Sequence, residues 1–495
     1  MKLEHILRNC GTLELHGDAS AEISSLVNDS RKAAPGCLFA AVSGCGNDGR
    51  AYIPSAVAAG ASAVMYEAPG ADDGAAREAI ASIPDGVTRI LVEDSRAAVA
   101  AAADNFYGHP SGKLCLVGVT GTNGKTTVAT LLYDMFRQLG HECGLMSTIA
   151  NYIGARRIET ANTTSDPVTV NSLLAQMVEA GCSHCFMEVS SIGVDQHRID
   201  RLQFKAGIFT NLTHDHLDYH GTFANYLRCK QKFFDMLPRG SYAVTNIDDR
   251  NGRIMVQNTA AQVISYSCRS LADHSCKIVE QSIEGMLLNI DGTEVWTMLT
   301  GAHNAYNLLA IYSTALALGT PAESALLALS KLRPVKGRLE TVPGPGGLNV
   351  VIDYAHTPDA LENVLKTLKE TAPRKPLYCL FGCGGDRDRS KRPEMGAVAA
   401  RYADKIILTS DNSRSEDTEE IMAEIRAGIP AEALSRTVSI PDRKEAIRTA
   451  LMLAGKDATV LLAGKGHETY QILGSVKSHF DEREIVEEFF KSLKN

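Results

Sequence analysis

The sequence predicts an α/β protein built from three domains, and three observations lead there. Apolar runs of strand length alternate with amphipathic stretches of helix length. Several of those runs stay apolar until their C-terminal ends, where Gly or polar residues take over, as in parallel sheets that bind ligands at the strand ends. And 495 residues exceed one ordinary core, while Gly/Pro/Ser clusters near 107–113 and 335–347 split the chain into blocks 1–110, 111–336 and 337–495.

Composition narrows the function classes. Hydrophobic residues at 44% and charged residues at 22% suit a soluble globular protein. The net charge of −8 argues against a general nucleic-acid binder, which needs a basic face. No window approaches 18 uncharged apolar residues, so no membrane span is expected. Glu4, His5 and Arg8 interrupt the place where a signal peptide would be apolar, so the protein is expected to stay in the cytoplasm. Twelve cysteines are then expected to be reduced and mostly buried. "CSHC" (182–185) has half of a zinc spacing without a second pair at the right distance, and Cys379 and Cys383 do not complete it; core residues are expected there.

Taken in order, the first block holds "CLFAAVSG" and "ASAVMYEA", short apolar runs of a small α/β unit, and "YGHPSGK" (107–113) is a linker. The second opens with the strand "LCLVGV" (114–119), followed by a loop and an amphipathic helix "KTTVATLLYDMFRQLG" that Gly140 ends. "HCFMEVSS" and "AGIFTNL" are further strands of a largely parallel sheet. In the third block "NVVIDYAH", "PLYCLFGCGGDRD", "KIILTSDNSR" and "ATVLLAGKGHE" are four buried strands, each ending in a polar or Gly-rich loop, which suits a doubly wound, Rossmann-like sheet. The Pro/Gly-rich stretch 343–347 is taken to mark the boundary before it.

The loop "GVTGTNGKTT" (118–127) carries the first chemistry. It misses the ordinary phosphate-loop spelling because Val119 stands where glycine is required. The physics survives: Gly121 and Gly124 let successive N–H groups point at one anion, and the helix that follows adds its positive end. Lys125 can reach terminal phosphates and Thr126 can offer a hydroxyl to Mg²⁺. Glu188 closes a buried strand, a costly place for a carboxylate unless it is paired or metal-bound. "NLTHDHLDYHG" (211–221) concentrates three histidines and two aspartates; for each histidine, ligation and structural hydrogen bonding both stay open.

As an ordered set, "GTNGKTT", "MEVSS", "NLTHDHLDYH", "GAHNAYN", "GR" (337–338) and "DYAHTPDAL" resemble the Mur ligases, ATP-dependent enzymes that add amino acids to the peptidoglycan precursor. The shortened phosphate loop is this family's form. Within it, "NDSRKAAPGCLFAAVSGCGNDGRAYI", "NTTSDP", "SSIGVDQHR", "GCGGDRDRSKRP", "SDNSRSED" and "AGKGHE" are similar to the branch that adds the third residue.

The resemblance implies roles, position by position. Asn28, Ser30 and the loop Cys45, Gly46 and Asn47 would hold a uridine nucleotide, and Asn162, Thr163, Thr164, Ser190, Gln196 and Arg198 the acceptor UDP-MurNAc-L-Ala-D-Glu. The loop Thr120, Gly121, Thr122, Asn123, Gly124, Lys125, Thr126 and Thr127 would bind ATP, with Asn304, Arg338 and Asp353 closing from the hinge side. Thr126, Glu188, His216 and Lys230 would serve Mg²⁺, Lys230 as a carbamate (N6-carboxylysine); from spacing alone "YLRCKQKFF" makes Lys230 a helix-surface lysine. Lys125, Glu188, His216 and Lys230 would be the catalytic set, and Arg387, Asp411, Asn412, Ser413, Arg414, Gly464 and Glu468 would hold meso-diaminopimelate.

Two positions depart from the family pattern. Ile192 stands where many relatives have His, and Ser413 replaces the proline of a D-N-P-R motif. Alternatives within the ligases are L-lysine or another diamino acid as substrate, or a folylpolyglutamate-type acceptor; outside them, a P-loop switch ATPase.

Overall fold

A computed structural model describes residues 1–44, 48–70 and 73–493. Among them the strands form sheets of five, eleven and six strands and a two-stranded ribbon. In the first sheet Ser25–Val27, Cys37–Ala41, Ala63–Glu67 and Thr88–Val92 run parallel, with Thr12–His16 antiparallel at the edge. Helix Ser95–Phe106 starts at Asp94, whose carboxylate accepts the N–H groups of Arg96 and Ala97, and buries Val99 against Leu38, Met65 and Ile90.

The central sheet is built outward from Cys115–Thr120, flanked in parallel by His184–Glu188 and Phe204–Phe209. Parallel pairing continues to Cys143–Met146 on one side and to Tyr242–Asn246, Gln262–Ser267 and His274–Ser282 on the other. Helices Lys125–Gln138 and Ala302–Ala317 cover one face and Pro167–Glu179 and Phe223–Asp235 the other. Burial on both faces explains why these strands read as unbroken apolar runs. Antiparallel hairpins at both edges, Asn151–Ile153 with Arg156–Ile158 and Gly285–Ile290 with Thr293–Thr297, were not foreseen. Their outer strands are short and largely exposed, so no apolar run marks them.

The third sheet orders Asn349–Asp353, Thr459–Ala463, Leu377–Phe381, Lys405–Leu408 and Thr437–Ser439 in parallel. Glu340–Pro343 pairs antiparallel with Asn349–Asp353, so the Pro/Gly-rich segment 343–347 is the loop of a hairpin inside this sheet. The ribbon Tyr470–Leu473 with Val476–His479 lies over the end of the sheet, where Ile472 N–H donates to Asn412 Oδ1 at 2.9 Å.

No helix among the described residues is long and apolar enough to cross a membrane. The described cysteines are free thiols, and Cys182 and Cys185 sit in the apolar core beneath the central sheet.

Candidate active site

The phosphate loop connects strand Cys115–Thr120 to helix Lys125–Gln138, and its two glycines are required by space as well as by angle. Gly121 has φ 151° and a Cβ there would lie 1.9 Å from Thr210 Oγ1; Gly124 has φ 88° and a Cβ would lie 2.6 Å from Asn307 Oδ1. The loop is pinned from both sides. Thr122 N–H donates to Asn211 O at 2.8 Å, and Asn123 Nδ2 donates to Asp359 Oδ2 at 2.8 Å across to the third sheet's side. Lys125 Nζ donates to the loop carbonyls of Gly121 and Thr122 at 2.9 and 2.8 Å. Burial lowers its pKa, against the pull of Glu188. Thr120 and Thr127 are buried in the loop's flanks.

Glu188 is 1% exposed at the end of its strand. Its carboxylate accepts Thr126 Oγ1–H at 2.9 Å and Thr148 N–H at 2.7 Å, and no cationic side chain among the described residues makes an ion pair with it. A buried carboxylate held by hydroxyl and amide donors, with no ion pair at contact distance, suits a hard cation. Among the described residues no three His, Cys, Asp or Glu side chains gather to hold a metal alone. Thr126 Oγ1 and the Glu188 carboxylate are hard oxygen donors that could hold Mg²⁺, a cation that takes few protein oxygens.

Lys230 is not on a helix surface. It is 1% exposed, its Nζ donates to Gly121 O at 2.7 Å beneath the phosphate loop, and it lies 4.8 Å from the Tyr226 ring centroid. Burial, reinforced by nearby Lys125, pushes its pKa well below the ordinary lysine value. The signal was in the sequence: Tyr226, Cys229, Lys230, Phe233 and Phe234 form the buried stripe of helix Phe223–Asp235 at i, i+3, i+4, i+7, i+8 spacing. His216 caps the short helix Leu217–His220 at φ 53°, with Nε2 3.5 Å from Asp215 Oδ2; burial lowers its pKa. Its neighbour His220 is turned away, bonding Ser191 Oγ at 2.9 Å.

These groups line one cavity of about 1090 Å³ whose far wall comes from the third block. Arg338 Nη2 donates to Thr126 Oγ1 at 3.2 Å, and its guanidinium stacks 4.6 Å from the Tyr354 ring. Asp353, its pKa raised by burial, accepts the N–H groups of Leu339 and Ala355, which fixes the turn that carries Arg338. Asn304 lines the same cavity and is held by Thr300 O and Asn307. Thr163 and Ser190 also reach it. Thr164 lies behind, bonding Glu188 O and Ser190 N–H, while Asn162 is exposed.

A second cleft of about 200 Å³ lies between the first and central sheets and gathers Asn28, Gln196 and Arg198. Arg198 Nη2 donates to Gln196 Oε1 at 2.7 Å. Ser43, Arg96 and Asp166 line it too and were missed, although Asp-Pro at 166–167 is a helix-start signal. Asp166 caps helix Pro167–Glu179 and accepts Asn28 Nδ2–H at 3.1 Å. Ser30 begins the turn Ser30–Lys32 outside the cleft, and Cys45, Gly46 and Asn47 lie outside the described residues.

The third-sheet loops bring Asp411, Asn412, Ser413, Gly464 and Glu468 together, away from both cavities. Asp411, Asn412 and Ser413 are buried, Asn412 Nδ2 donates to Glu468 Oε2 at 2.9 Å, and a Cβ on Gly464 would lie 2.8 Å from Asp411 Oδ2. Burial alone would raise the Asp411 pKa, but Lys465 and Arg443 hold it below the ordinary value. Arg414 sits at φ 51° and donates to Gly385 O at 2.7 Å; Arg387 is exposed on the rim. Lys465, overlooked in the sequence, is buried among these groups.

Residues 22–107, 119–315 and 337–466 match the families described as "Mur ligase family, catalytic domain", "Mur ligase middle domain" and "Mur ligase, glutamate ligase domain". The UDP-N-acetylmuramoyl-L-alanyl-D-glutamate–2,6-diaminopimelate ligase of Phocaeicola vulgatus is 49% identical over 491 residues, 99% of each chain. That of Cytophaga hutchinsonii is 44% identical over 493 residues, 100% of each. A solved structure of a ligase of the same name superposes with a TM-score of 0.68 at 29% identity, covering 100% of this chain and 99% of its own. The chain belongs to the Mur ligase family.

Proposed function

We propose that this chain is the ATP-dependent ligase that joins meso-diaminopimelate to the D-Glu side-chain carboxylate of UDP-MurNAc-L-Ala-D-Glu. Relatives 49% identical over the full length bear the name of that activity. The observation that carries the chemistry is the single cavity where the phosphate loop, the buried Glu188 and Arg338 from the third block meet.

The acceptor carboxylate attacks the γ-phosphorus of ATP, ADP leaves, and an acyl phosphate forms. The amine of diaminopimelate then adds to the acyl carbon, and the tetrahedral intermediate expels inorganic phosphate and loses a proton to give the amide. Little covalent work falls to the protein, so positioning and charge neutralisation dominate. Lys125 leaves its two loop carbonyls for the transferring phosphoryl group, and Arg338 adds charge from the opposite wall. Thr126, Glu188, His216 and carbamylated Lys230 would hold Mg²⁺, which when bound neutralises phosphoryl oxygens. Burial, which lowers the Lys230 pKa, favours the neutral amine, the form that adds CO₂, releasing a proton and becoming an anionic oxygen donor. Walls contributed by two blocks let closure exclude water from the acyl phosphate. The assigned residues, the carbamate, action as a monomer and a cytoplasmic location all belong to this proposal.

Phosphate release tests it. ATP alone, or with either co-substrate, is to yield little phosphate, and all three together are to yield one phosphate per amide formed. Rapid ATP hydrolysis indifferent to the acceptor and amino acid would point to a switch ATPase instead.

A further inference from the structure

The loops proposed to hold the far end of the amino acid close around Lys465. Its side chain is fully buried. Nζ donates to Glu468 Oε2 at 2.9 Å and Asn412 Oδ1 at 3.2 Å, and lies 3.5 Å from Asp411 Oδ1. Asn412 Nδ2 closes the ring on Glu468. Two carboxylates around one ammonium leave this group with one net negative charge. Behind it Arg443 is matched by Glu482, with the shortest contact at 2.8 Å. Arg414 is different: it donates to the carbonyls of Gly385 and Asn412, and among the described residues no carboxylate lies within ion-pair distance of it; Asp386, whose carboxylate is bonded to Ser415, attracts it only from farther off. The loops therefore present one unmatched negative and one unmatched positive charge.

We infer that Lys465 is the residue that sets this charge balance, and that it makes the site select a side chain ending in both an ammonium and a carboxylate over one ending in an ammonium alone. The inference rests on the ligase activity proposed above. Lys465 is buried behind Asp411 and Glu468, so it is a positioning residue that acts through them. With it, a zwitterionic end satisfies both unmatched charges, whereas L-lysine leaves Arg414 without its anion. Without it, the Asp411–Glu468 pair carries two negative charges, which draws a lone ammonium and repels the neighbouring carboxylate.

The test is the ratio of kcat/KM for meso-diaminopimelate to that for L-lysine, with ATP and UDP-MurNAc-dipeptide saturating. In Lys465→Met the ratio is to fall roughly tenfold or more, while KM for ATP and for the acceptor stays within about twofold of wild type. Adding Glu468→Gln restores one net negative charge and is to recover part of the ratio, which a merely structural role of Lys465 would not do. If Lys465→Met does not fold, Glu468→Gln alone decides: by removing an anion it is to raise the ratio above wild type. An unchanged ratio in whichever variant is measured, from an enzyme that prefers diaminopimelate, overturns the role of Lys465 and leaves the ligase assignment standing. A wild-type preference for L-lysine overturns the substrate assignment itself.

Discussion

The Thr126 hydroxyl donates to Glu188 Oε2 at 2.9 Å, joining the first turn of the phosphate-loop helix to the end of the neighbouring parallel strand. Both side chains are buried, and among the described residues Glu188 makes no ion pair, so its carboxylate faces the place where phosphates are expected. Glu188→Gln keeps the shape and removes the charge. The expected outcome is a loss of about 10²–10³ in kcat and a higher Mg²⁺ concentration for half-maximal rate. A Mg²⁺ titration that superposes on wild type would remove Glu188 from the metal site.

Lys125→Ala removes the cation proposed to act on the transferring phosphoryl group. Turnover is expected to fall by about 10²–10³, while calorimetry still detects binding of the UDP-linked acceptor, whose proposed contacts at Asn28, Gln196 and Arg198 lie in the other cleft. Retention of more than about a tenth of the wild-type rate would contradict the role.

For Lys230 the charge sign is the question. Lys230→Ala is expected to be nearly inactive and partly rescued by acetate, a small carboxylate. Lys230→Arg keeps a cation that cannot become an anion, and is expected to fail as well. An active arginine variant would show that the buried lysine serves as a cation.

Arg414→Ala tests the amino-acid end directly. With its guanidinium gone, the distal carboxylate of meso-diaminopimelate has no partner, so most of the preference over L-lysine is expected to vanish. Unaltered preference would place that carboxylate elsewhere.

A pH-dependent prediction concerns the support under these loops. The hydrogen-bonded Arg392 guanidinium holds the Glu416 carboxyl down at about 2, below its ordinary 4.5. A depressed carboxyl stabilises the fold fully above the unfolded value and loses that contribution as pH falls through the folded one. The gap in melting temperature between wild type and Glu416→Gln is therefore expected to be widest above about pH 4.5 and to close toward pH 2. A gap that does not change with pH would mean the ion pair contributes nothing to acid stability.

Much of the site was legible because strand ends carry it. Glu188, Asp353 and Asp411 each follow an apolar run, and a buried parallel strand announces its C-terminal end. Gly121 and Gly124 were legible because only glycine tolerates those angles with Thr210 and Asn307 so close. Lys230 was legible in principle, from the helical stripe it shares with Tyr226 and Phe233, but a lysine is ordinarily assigned to solvent. Lys465 was not: its burial depends on loops and a ribbon that come together from residues 411–412 and 470–479. The cleft around Asn28 and Asp166 joins residues 138 positions apart, a meeting that no local pattern encodes.

The most direct test of the account is the mass of the product formed by the purified enzyme from ATP, Mg²⁺, UDP-MurNAc-L-Ala-D-Glu and equal concentrations of meso-diaminopimelate and L-lysine. The account predicts one dominant new nucleotide, heavier than the acceptor by one diaminopimelate less one water, formed only when ATP is present. A product carrying lysine in equal or greater amount, or no new amide at all, would contradict it.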